Sequence, residues 1–484
     1  MYSSKLVTTL KALRDHEMER LDQFLRSPYF NPEYATPELQ GLWHYLRQGL
    51  HGPEEAYFGR DRVYGAVFGS DTMYKSKLEK LMSQLYGLVR RFLVFEQIQA
   101  GMTESRELLH LLDALAERRM GPQFNLVHKK LKTLSREQPA DSSQYFYEYF
   151  SLEKKVIDFQ MIDNNRRTDL QLPELHFHLD AYYLLQKLEM ACQLLTRHVF
   201  IVPTDYGNRL HYLDLLIAEL DDAHRQMPII ALYLGAYRLL KSLVEQDTEE
   251  YFEQFNELLD RHRSAISRQQ ESILQTLNRN YILHKYQKVS HDYLPQVFHT
   301  YRKHLEAGLL YRDGLILPSL FSNIVSLGLR QGEIKWVFRF IQEHRDRLLG
   351  LGDSDILVQY NLALYYFYTL DYDQALQHLA PTYEDQFYKV TARRFELKIL
   401  YEQESVLFDA KFDAFKMFIY RLPSSSVHFK NKTANKRFLG LLRQIRRTNT
   451  YKNDSRIDKL LAKARAPEYL ADKEWIIEKL EQMR

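Results

Sequence analysis

One stretch of the sequence carries residue types that could bind a metal ion, His176-Phe177-His178-Leu179-Asp180. On a helix, His176 and Asp180 would share a face while His178 would point elsewhere. On a strand the two histidines would align, but the surrounding pattern is that of helices. Protein metal sites usually need three or four ligands, and no third ligand is visible here. We therefore predict that the chain holds neither a metal ion nor another cofactor.

The motifs of the common enzyme classes are absent from the sequence. It has no glycine-rich phosphate loop, no His-Glu-x-x-His and no Gly-x-Ser-x-Gly. The acidic pairs Asp353/Asp355 and Asp371/Asp373 fall where helices would turn, and neither continues into the glycine and distal glutamate of a calcium loop. We predict that the chain is not an enzyme, and a site assembled from distant residues is the alternative that stays open.

The single cysteine, Cys192, bounds the possible thiol chemistry. One cysteine cannot form a disulfide within the chain or a multi-cysteine zinc site. Its neighbours, from Met190 to Leu194, are mostly apolar and predict that it packs as a small hydrophobic residue. A catalytic thiol would need a partner histidine and base.

Basic residues are concentrated between Arg421 and Arg465, a segment with 13 Lys or Arg against Asp454 and Asp458. Its formal charge is +11 and that of the whole chain is +3, which leaves −8 on the remainder. At about 100° per residue, a helix here would place five candidate polyanion-binding residues on one side: Lys432, Lys436, Arg443, Arg446 and Arg447. Such asymmetry is one indication of an anionic partner. A solvated face paired with acidic parts of the protein, or an acidic protein partner, are the alternatives.

The elements that would position these residues recur as helix pairs over Phe321–Tyr420. In the clearest pair, Ala363 on the first helix and Ala375 on the second are 12 residues apart. This is the spacing of the small crossing residues in tetratricopeptide repeats. Small side chains are needed there because the helices approach to about 8–10 Å. Leu370-Asp371 predicts the turn between the two helices.

Weaker copies of this pattern flank the clearest pair. The predicted crossing positions are Val325 and Val337 around a turn at Gly332-Glu333, and Glu396 and Phe408 around a turn at Glu404-Ser405. The second crossing positions are offset by 38 and 33 residues, compared with a repeat of about 34. An ordinary helical domain with one chance match is the alternative.

The composition favours an all-α chain of 484 residues. Glycine and proline are scarce, and runs of alternating Val, Ile and Thr are missing. We predict a helical-hairpin, tetratricopeptide-like solenoid or superhelix. The predicted domains are an N-terminal helical domain (1–100), a helical-hairpin middle region (101–310), tetratricopeptide-like repeats (311–421) and a basic C-terminal helical cap (422–484). Trp475, Ile476 and Leu480 would cover the last exposed face.

The ends and breaks of the chain give further expectations. A first helix should run from Lys5 to Arg26, followed by an aromatic loop, Tyr29–Pro32, whose rings plug the next helix. No apolar signal region follows the N-terminus, and the apolar run Pro228–Tyr237 is too short for a membrane span of about 20 residues. Asp247–Glu250 resembles a capping box. We expect a soluble, cytoplasmic protein.

The chain resembles a group of uncharacterised bacterial all-helical proteins with tetratricopeptide-like C-terminal repeats. The stretches that carry this resemblance are Phe24–Asn31, Leu81–Leu85, Tyr182–Leu188, Phe321–Val325, Ala392–Arg394 and Tyr401–Glu402. Together they span most of the chain. The resemblance implies an all-helical, repeat-like fold and no activity. The turn at Gln403–Ser405 departs from the pattern, since it lacks the expected glycine.

From these observations we predict a non-enzymatic protein–protein interaction scaffold of tetratricopeptide-like type. Helical solenoids present extended concave surfaces that bind other macromolecules, and the expected ligand is a protein or peptide segment. Polar and aromatic positions on the first helices of the pairs would line the groove. Nucleic acid or another polyanion, bound through the basic C-terminal helix, is the alternative partner.

Overall fold

The structure is a computed structural model that describes residues 2–50, 55–69, 74–137, 139–162, 171–201, 210–245, 249–349, 354–379, 386–423, 426–449, 454–466 and 470–484. Within these residues the fold is all-α, as predicted, apart from one short hairpin. The chain divides into two compact units, Met1–Leu134 and Ser135–Arg484. The four domains predicted from the sequence stay a prediction.

The first unit is built around the long helix α5. Its helices are α1 (Lys5–Lys11), α2 (Asp15–Arg26), α3 (Pro37–Leu50), α4 (Arg60–Phe68), α5 (Lys75–Ala100), α6 (Glu104–Glu117) and α7 (Gly121–Glu137), which crosses into the second unit. Helices α1, α2 and α3 all contact α5. Trp43 of α3 is fully buried in the core that they share, and its indole Nε1–H donates to Asp22 Oδ1 at 2.7 Å.

The predicted continuous helix over Lys5–Arg26 is wrong, because the chain breaks between α1 and α2. Ser4 caps the start of α1, and at the start of α2 the Arg14 N–H donates to Glu17 Oε2 at 2.7 Å. Both helices contribute buried side chains to the same core. The break lets each helix turn its own apolar stripe towards α5.

The aromatic loop is only partly packed. Phe30 lies 5.3 Å from the Phe24 ring in a stacked geometry, although it is still 40% exposed. Tyr29 is 89% exposed, so the interpretation that both rings plug the next helix is wrong for this residue. Asn31 anchors the loop instead, since it is buried and its Nδ2–H donates to the Phe24 backbone oxygen at 2.6 Å.

The second unit is a longer series of helices. These are α8 (Ser143–Ile162), α9 (Leu172–Thr196), α10 (His211–Ala218), α11 (Asp222–Gln226), α12 (Pro228–Glu245), α13 (Glu249–His262), α14 (Arg268–Lys288), α15 (Leu294–Glu306), α16 (Pro318–Arg330), α17 (Ile334–His344), α18 (Ser354–Tyr368), α19 (Tyr372–Gln377), α20 (Gln386–Glu402), α21 (Phe408–Arg421), α22 (Ser426–Asn449), α23 (Asp454–Arg465) and α24 (Lys473–Gln482). Short 3-10 turns cover Pro32–Ala35 and Glu55–Phe58 in the first unit and Arg263–Ala265 and His291–Tyr293 in the second. A π-helical turn, Arg197–Ile201, extends α9.

The apolar run that begins at Pro228 forms α12, a helix buried on nearly all sides. It contacts α9, α13 and α14. Gly235 makes the approach to α13 possible, because a Cβ there would lie 2.8 Å from Leu258 Cδ1 and 3.2 Å from Phe255 Cδ2. Short apolar runs of this kind are typical of buried core helices.

The three predicted turns of the repeat region share one geometry. The pairs α16/α17, α18/α19 and α20/α21 are each joined through a left-handed residue: Gly332 (φ +83°), Leu370 (φ +63°) and Glu404 (φ +51°). In each turn the N–H of the residue after the left-handed one donates a hydrogen bond to a carbonyl oxygen in the last turn of the first helix, at 2.9, 2.9 and 3.0 Å respectively. This is the Schellman closure of a helix. All three pairs therefore end their first helix in the same way, although only one turn has a glycine.

Small and apolar residues pack where the helices of the first two pairs cross. Ala363 and Ala375 are both fully buried, and α18 contacts α19, as predicted. In the preceding pair Val325 and Val337 are also fully buried. A close approach there involves Gly328, because a Cβ at that position would lie 2.5 Å from Val337 Cγ2.

The predicted crossing position Glu396 is wrong by one residue. Its side chain is 28% exposed and pairs with Lys411 at 2.6 Å, whereas the adjacent Leu397 is fully buried. Leu397 precedes the left-handed residue of its turn by the same number of positions as Ala363 and Val325 precede theirs. The left-handed turn thus gives the register of the first helix, which the irregular residue types had hidden.

A two-stranded hairpin lies between α15 and α16, where no strand was predicted. β1 (Tyr311–Arg312) pairs antiparallel with β2 (Leu315–Ile316). Asp313 and Gly314 have φ of +53° and +78°, as a type I′ turn requires. The Asp-Gly dipeptide was the available sequence signal.

Two predicted turn features begin outside the described residues, namely the capping box at Asp247 and the acidic pair that starts at Asp353. The other acidic turn is described. There Asp371 caps α19, because its Oδ1 accepts from the Gln374 N–H at 3.2 Å, which is the role that an aspartate at this position was expected to take.

Candidate functional site

The predicted metal pattern forms ordinary helix contacts on α9. His176 Nδ1 lies 2.9 Å from Asp180 Oδ2, so these residues share a face as predicted. His178 points away from them, because its Nδ1 lies 2.9 Å from the Glu174 backbone oxygen and its ring stacks on Tyr149 at 4.1 Å. Among the described residues, no group of three or more His, Cys, Asp or Glu is placed to hold a metal ion.

The five predicted polyanion-binding residues lie on α22: Lys432, Lys436, Arg443, Arg446 and Arg447. Three of their cationic groups lie over rings of the neighbouring α21: Lys436 at 4.5 Å from Tyr420, Arg443 at 5.9 Å from Phe412 and Arg446 at 4.3 Å from Phe408. Contacts of this kind stabilise packing between the helices. The three side chains therefore have a structural role whether or not they bind a polyanion.

Arg446 also pairs with Asp409 at 3.0 Å. Of the two remaining residues, Lys432 donates from Nζ to the Leu422 backbone oxygen. Arg447 is exposed. That these residues bind a polyanion stays a prediction.

A cavity of about 700 Å³ opens beside the first helices of the three pairs. Its lining includes Asn323, Ser326, Leu327 and Arg330 of α16, Phe367 and Tyr368 of α18, and Lys398 and Glu402 of α20. Another part of its wall comes from the end of α14 and the following turn, and another from the C-terminal segment, defined here as Leu470–Arg484. Of the second helices, the described lining contains only Tyr372. We call this cavity and its lining the groove.

Asp472 of the C-terminal segment is held by two cations of α20. Its Oδ2 accepts from Arg394 Nε at 2.7 Å, and Lys398 Nζ lies 3.4 Å from Oδ1. Burial by itself would raise the pKa of the Asp472 carboxyl. The charges of Lys398, Arg394 and Arg330 outweigh burial and hold this pKa well below its usual value. The carboxyl therefore stays ionised at neutral pH.

The backbone at Asp472 is unusual for a helix start. Its φ is +46°, in the left-handed region, which aspartate tolerates better than most residues. An aspartate at the N-cap normally accepts a hydrogen bond from the first turn, but this side chain makes none. Its carboxylate is directed to Arg394 and Lys398 instead.

Glu474 forms the second acidic contact of the C-terminal segment. Arg330 Nη1 donates to Glu474 and also to the Tyr286 hydroxyl, the latter at 2.7 Å. His291 Nδ1 lies 3.1 Å from Glu474 Oε1. The side chain of Glu474 is 38% exposed, so solvent screens this cluster more than it screens the one at Asp472.

Trp475 anchors the segment against α20. Its indole Nε1–H donates to Glu402 Oε1 at 2.8 Å, and Lys479 Nζ donates to Oε2 of the same carboxylate at 2.8 Å. The ring is 7% exposed and meets the edge of Tyr401 at 5.4 Å between centres. A buried indole of this kind combines a large apolar contact with one directional hydrogen bond.

Lys398 contacts both Asp472 and Trp475 of the C-terminal segment. Its Nζ lies 5.2, 5.7 and 5.3 Å from the ring centres of Phe367, Phe395 and Trp475. Burial lowers the pKa of Lys398, and the charge of Asp472 opposes that change. A cation held among three rings and one carboxylate is suited to binding an acidic group beside an aromatic side chain.

The groove is therefore equipped to bind charged and aromatic side chains. Polar and aromatic groove positions were expected on the first helices, but Arg330, Lys398 and Glu474 were not among the residues predicted to be functional. These residues lie far apart along the chain, and only folding brings them together. The run of Asp472, Glu474 and Trp475 at a helix start was the available local signal.

No family model, no curated protein sequence and no solved structure matches this chain. The resemblance to helical repeat proteins therefore stays a prediction. In the part of the chain that the structure describes, no helix has both the length and the apolar character needed to cross a membrane.

Proposed function

We propose that this chain is a non-enzymatic protein–protein interaction scaffold of tetratricopeptide-like type, and that the groove holds a segment of its partner. One observation carries the proposal: first helices of all three pairs line the same cavity, and among the described lining residues their second helices contribute only Tyr372. In helical-repeat proteins, ligands bind on the surface that successive repeats present together.

The local contacts of the repeat region support a solenoid-like arrangement. Helix α18 contacts α16, α17 and α19, and α20 contacts α19 and α21. Each pair thus packs against its neighbour, which is the defining property of stacked repeats. The proposal includes the expected cytoplasmic location and the likeness to bacterial helical-repeat proteins.

Capture from a cell extract with a groove variant tests the proposal. Ser326→Arg places a long cation in the groove, and Ala414→Arg places the same side chain at an exposed position of α21 outside it. We expect the wild type and Ala414→Arg to capture the same protein partner from a nuclease-treated extract, and Ser326→Arg to lose it. Equal capture by all three proteins would contradict the proposed role of the groove.

Polyanion binding through α22 is the second candidate function. It rests on the sequence of α22, which contains seven Lys or Arg and no acidic residue over Ser426–Asn449. Titration with labelled DNA and RNA at several salt concentrations tests it, because phosphate contacts weaken steeply as salt rises. Absence of binding at low salt would exclude this function. Loss of binding in Arg447→Gln, compared with unchanged binding in Lys335→Gln on α17, would support it.

A further inference from the structure

Arg330 and Lys398, which the first helices present to the groove, and Arg394, which lies beside Lys398 on α20, are paired within the protein. Arg330 pairs with Glu474, and Arg394 and Lys398 pair with Asp472. In the described part of the chain these are the ion pairs that the three cations form. The C-terminal segment thus supplies the acidic counterpart of a basic site built by other helices.

Burial makes that acidic counterpart necessary. The side chains of Arg394 and Lys398 are 15% and 11% exposed. A buried cation that loses its carboxylate is strongly unfavourable. Any segment that replaced the C-terminal segment in the groove would have to bring its own carboxylates, which restricts the class of partner to acidic segments.

The aromatic surroundings restrict the partner further. Trp475 fills a place next to Lys398 and Tyr401, with Glu402 accepting from its indole N–H. A partner that left this place empty would expose the apolar surfaces around it to water. An aromatic side chain close to the acidic group is therefore the second requirement.

The contact of the C-terminal segment also contains a local strain. Asp472 has a left-handed backbone and leaves the N-terminal turn of α24 without a side-chain cap. Strain of this type is found where a segment is held by its surroundings rather than by its own conformational preference. A partner segment that presents its carboxylate from a relaxed backbone would avoid this strain, and the open cavity of about 700 Å³ beside the segment gives it room.

We infer that the groove binds an acidic partner segment with a nearby aromatic residue, and that the C-terminal segment is an intramolecular competitor for the same cations. The inference rests on the proposed function, since it names the kind of partner that the groove takes. Arg330, Arg394 and Lys398 would pair with the carboxylates of the partner as they now pair with Asp472 and Glu474.

The test uses the full chain and a fluorescent peptide with the sequence of Leu470–Arg484. Asp472→Asn combined with Glu474→Gln in the protein removes the two carboxylates of the competitor and leaves Trp475 in place. We expect the acidic peptide to bind this double variant about tenfold more tightly than the wild type in fluorescence anisotropy. A peptide with the same two amide substitutions should bind the double variant about tenfold more weakly than the acidic peptide.

A matched double variant controls for the loss of two charges. Asp458→Asn with Glu481→Gln removes two carboxylates from surface pairs with Arg484 and Arg465, and it should bind the acidic peptide as the wild type does. Circular dichroism checks folding. If the groove-facing double variant is unfolded, Glu474→Gln alone takes its place, because this side chain is the more exposed of the two.

The outcomes separate the inference from the proposed function. Equal affinity of the folded variant for the acidic and amide peptides, or no gain over the wild type, overturns the inference. If Ser326→Arg still abolishes partner capture in that case, the groove function stands and only the partner class is wrong. If capture ignores Ser326→Arg, the proposed function fails as well.

Discussion

Replacing Gly328 by alanine tests how closely α16 approaches α17. A Cβ at this position would lie 2.5 Å from Val337 Cγ2 and 3.0 Å from Phe298 Cε2. Carbon atoms pack best at about 3.5–4.0 Å, so a neighbour must move. Both neighbours are buried, and movement of either disturbs the core between α15, α16 and α17. We expect Gly328→Ala to destabilise the second unit.

A second helical glycine, Gly440, provides the reference for the size of this destabilisation. Among the described residues, no atom other than those of its chain neighbours and its own helix backbone lies within 4 Å of a Cβ at Gly440 of α22, so Gly440→Ala should raise the free energy of unfolding by about 1 kcal/mol through helix propensity alone. Gly328→Ala has the same gain in propensity, but overpacking costs about 1–3 kcal/mol. Because the propensity cancels in the comparison, the two variants should differ by about 1–3 kcal/mol.

Urea unfolding followed by far-UV circular dichroism measures this difference, and both positions lie in the second unit. In a protein that already carries Val337→Ala, adding Gly328→Ala should lower the free energy of unfolding less than it does in the wild type. The smaller side chain at position 337 removes the clash. If Gly328→Ala raises the urea midpoint as much as Gly440→Ala does, the close approach of α16 and α17 is refuted.

Three further predictions concern a carboxylate, a thiol and two turns. Asp472→Asn should lower the free energy of unfolding by about 3 kcal/mol at neutral pH. Since folding depresses the pKa of Asp472, this difference from the wild type, measured by urea unfolding, should be full above about pH 4 and should shrink as the pH falls below it. Burial raises the pKa of the Cys192 thiol, so a thiol reagent should label it only after unfolding. Glu404→Gly should stabilise and Gly332→Ala destabilise by about 1 kcal/mol in thermal melts, because both positions are left-handed; opposite signs would contradict these turns.

Much of the fold follows from local sequence pattern. The scarcity of glycine and proline indicated helices, and Ala363 with Ala375 identified one pair with its crossing residues. The third pair was placed one residue out of register at Glu396. Side-chain type alone did not mark the crossing there, whereas the left-handed backbone at Glu404 does. Such a conformation in a residue other than glycine depends on how the two helices pack.

The candidate site was less accessible to sequence reasoning. The basic residues of α22 were recognised because they lie close together in the chain. The structure shows Lys436, Arg443 and Arg446 over rings of α21, a contact that depends on how two helices face each other. Local charge patterning predicts where cations are, but it does not predict which neighbours they contact.

The sequence by itself determined that the chain is helical, where the helices of three pairs turn and which residues are buried in the clearest pair, because these properties depend on spacing within one or two turns. Only the tertiary structure decided the groove. Arg330, Arg394 and Lys398 come from two different helices, and Asp472 and Glu474 come from the C-terminal segment. Their pairing depends on burial and on long-range packing, which no local pattern encodes.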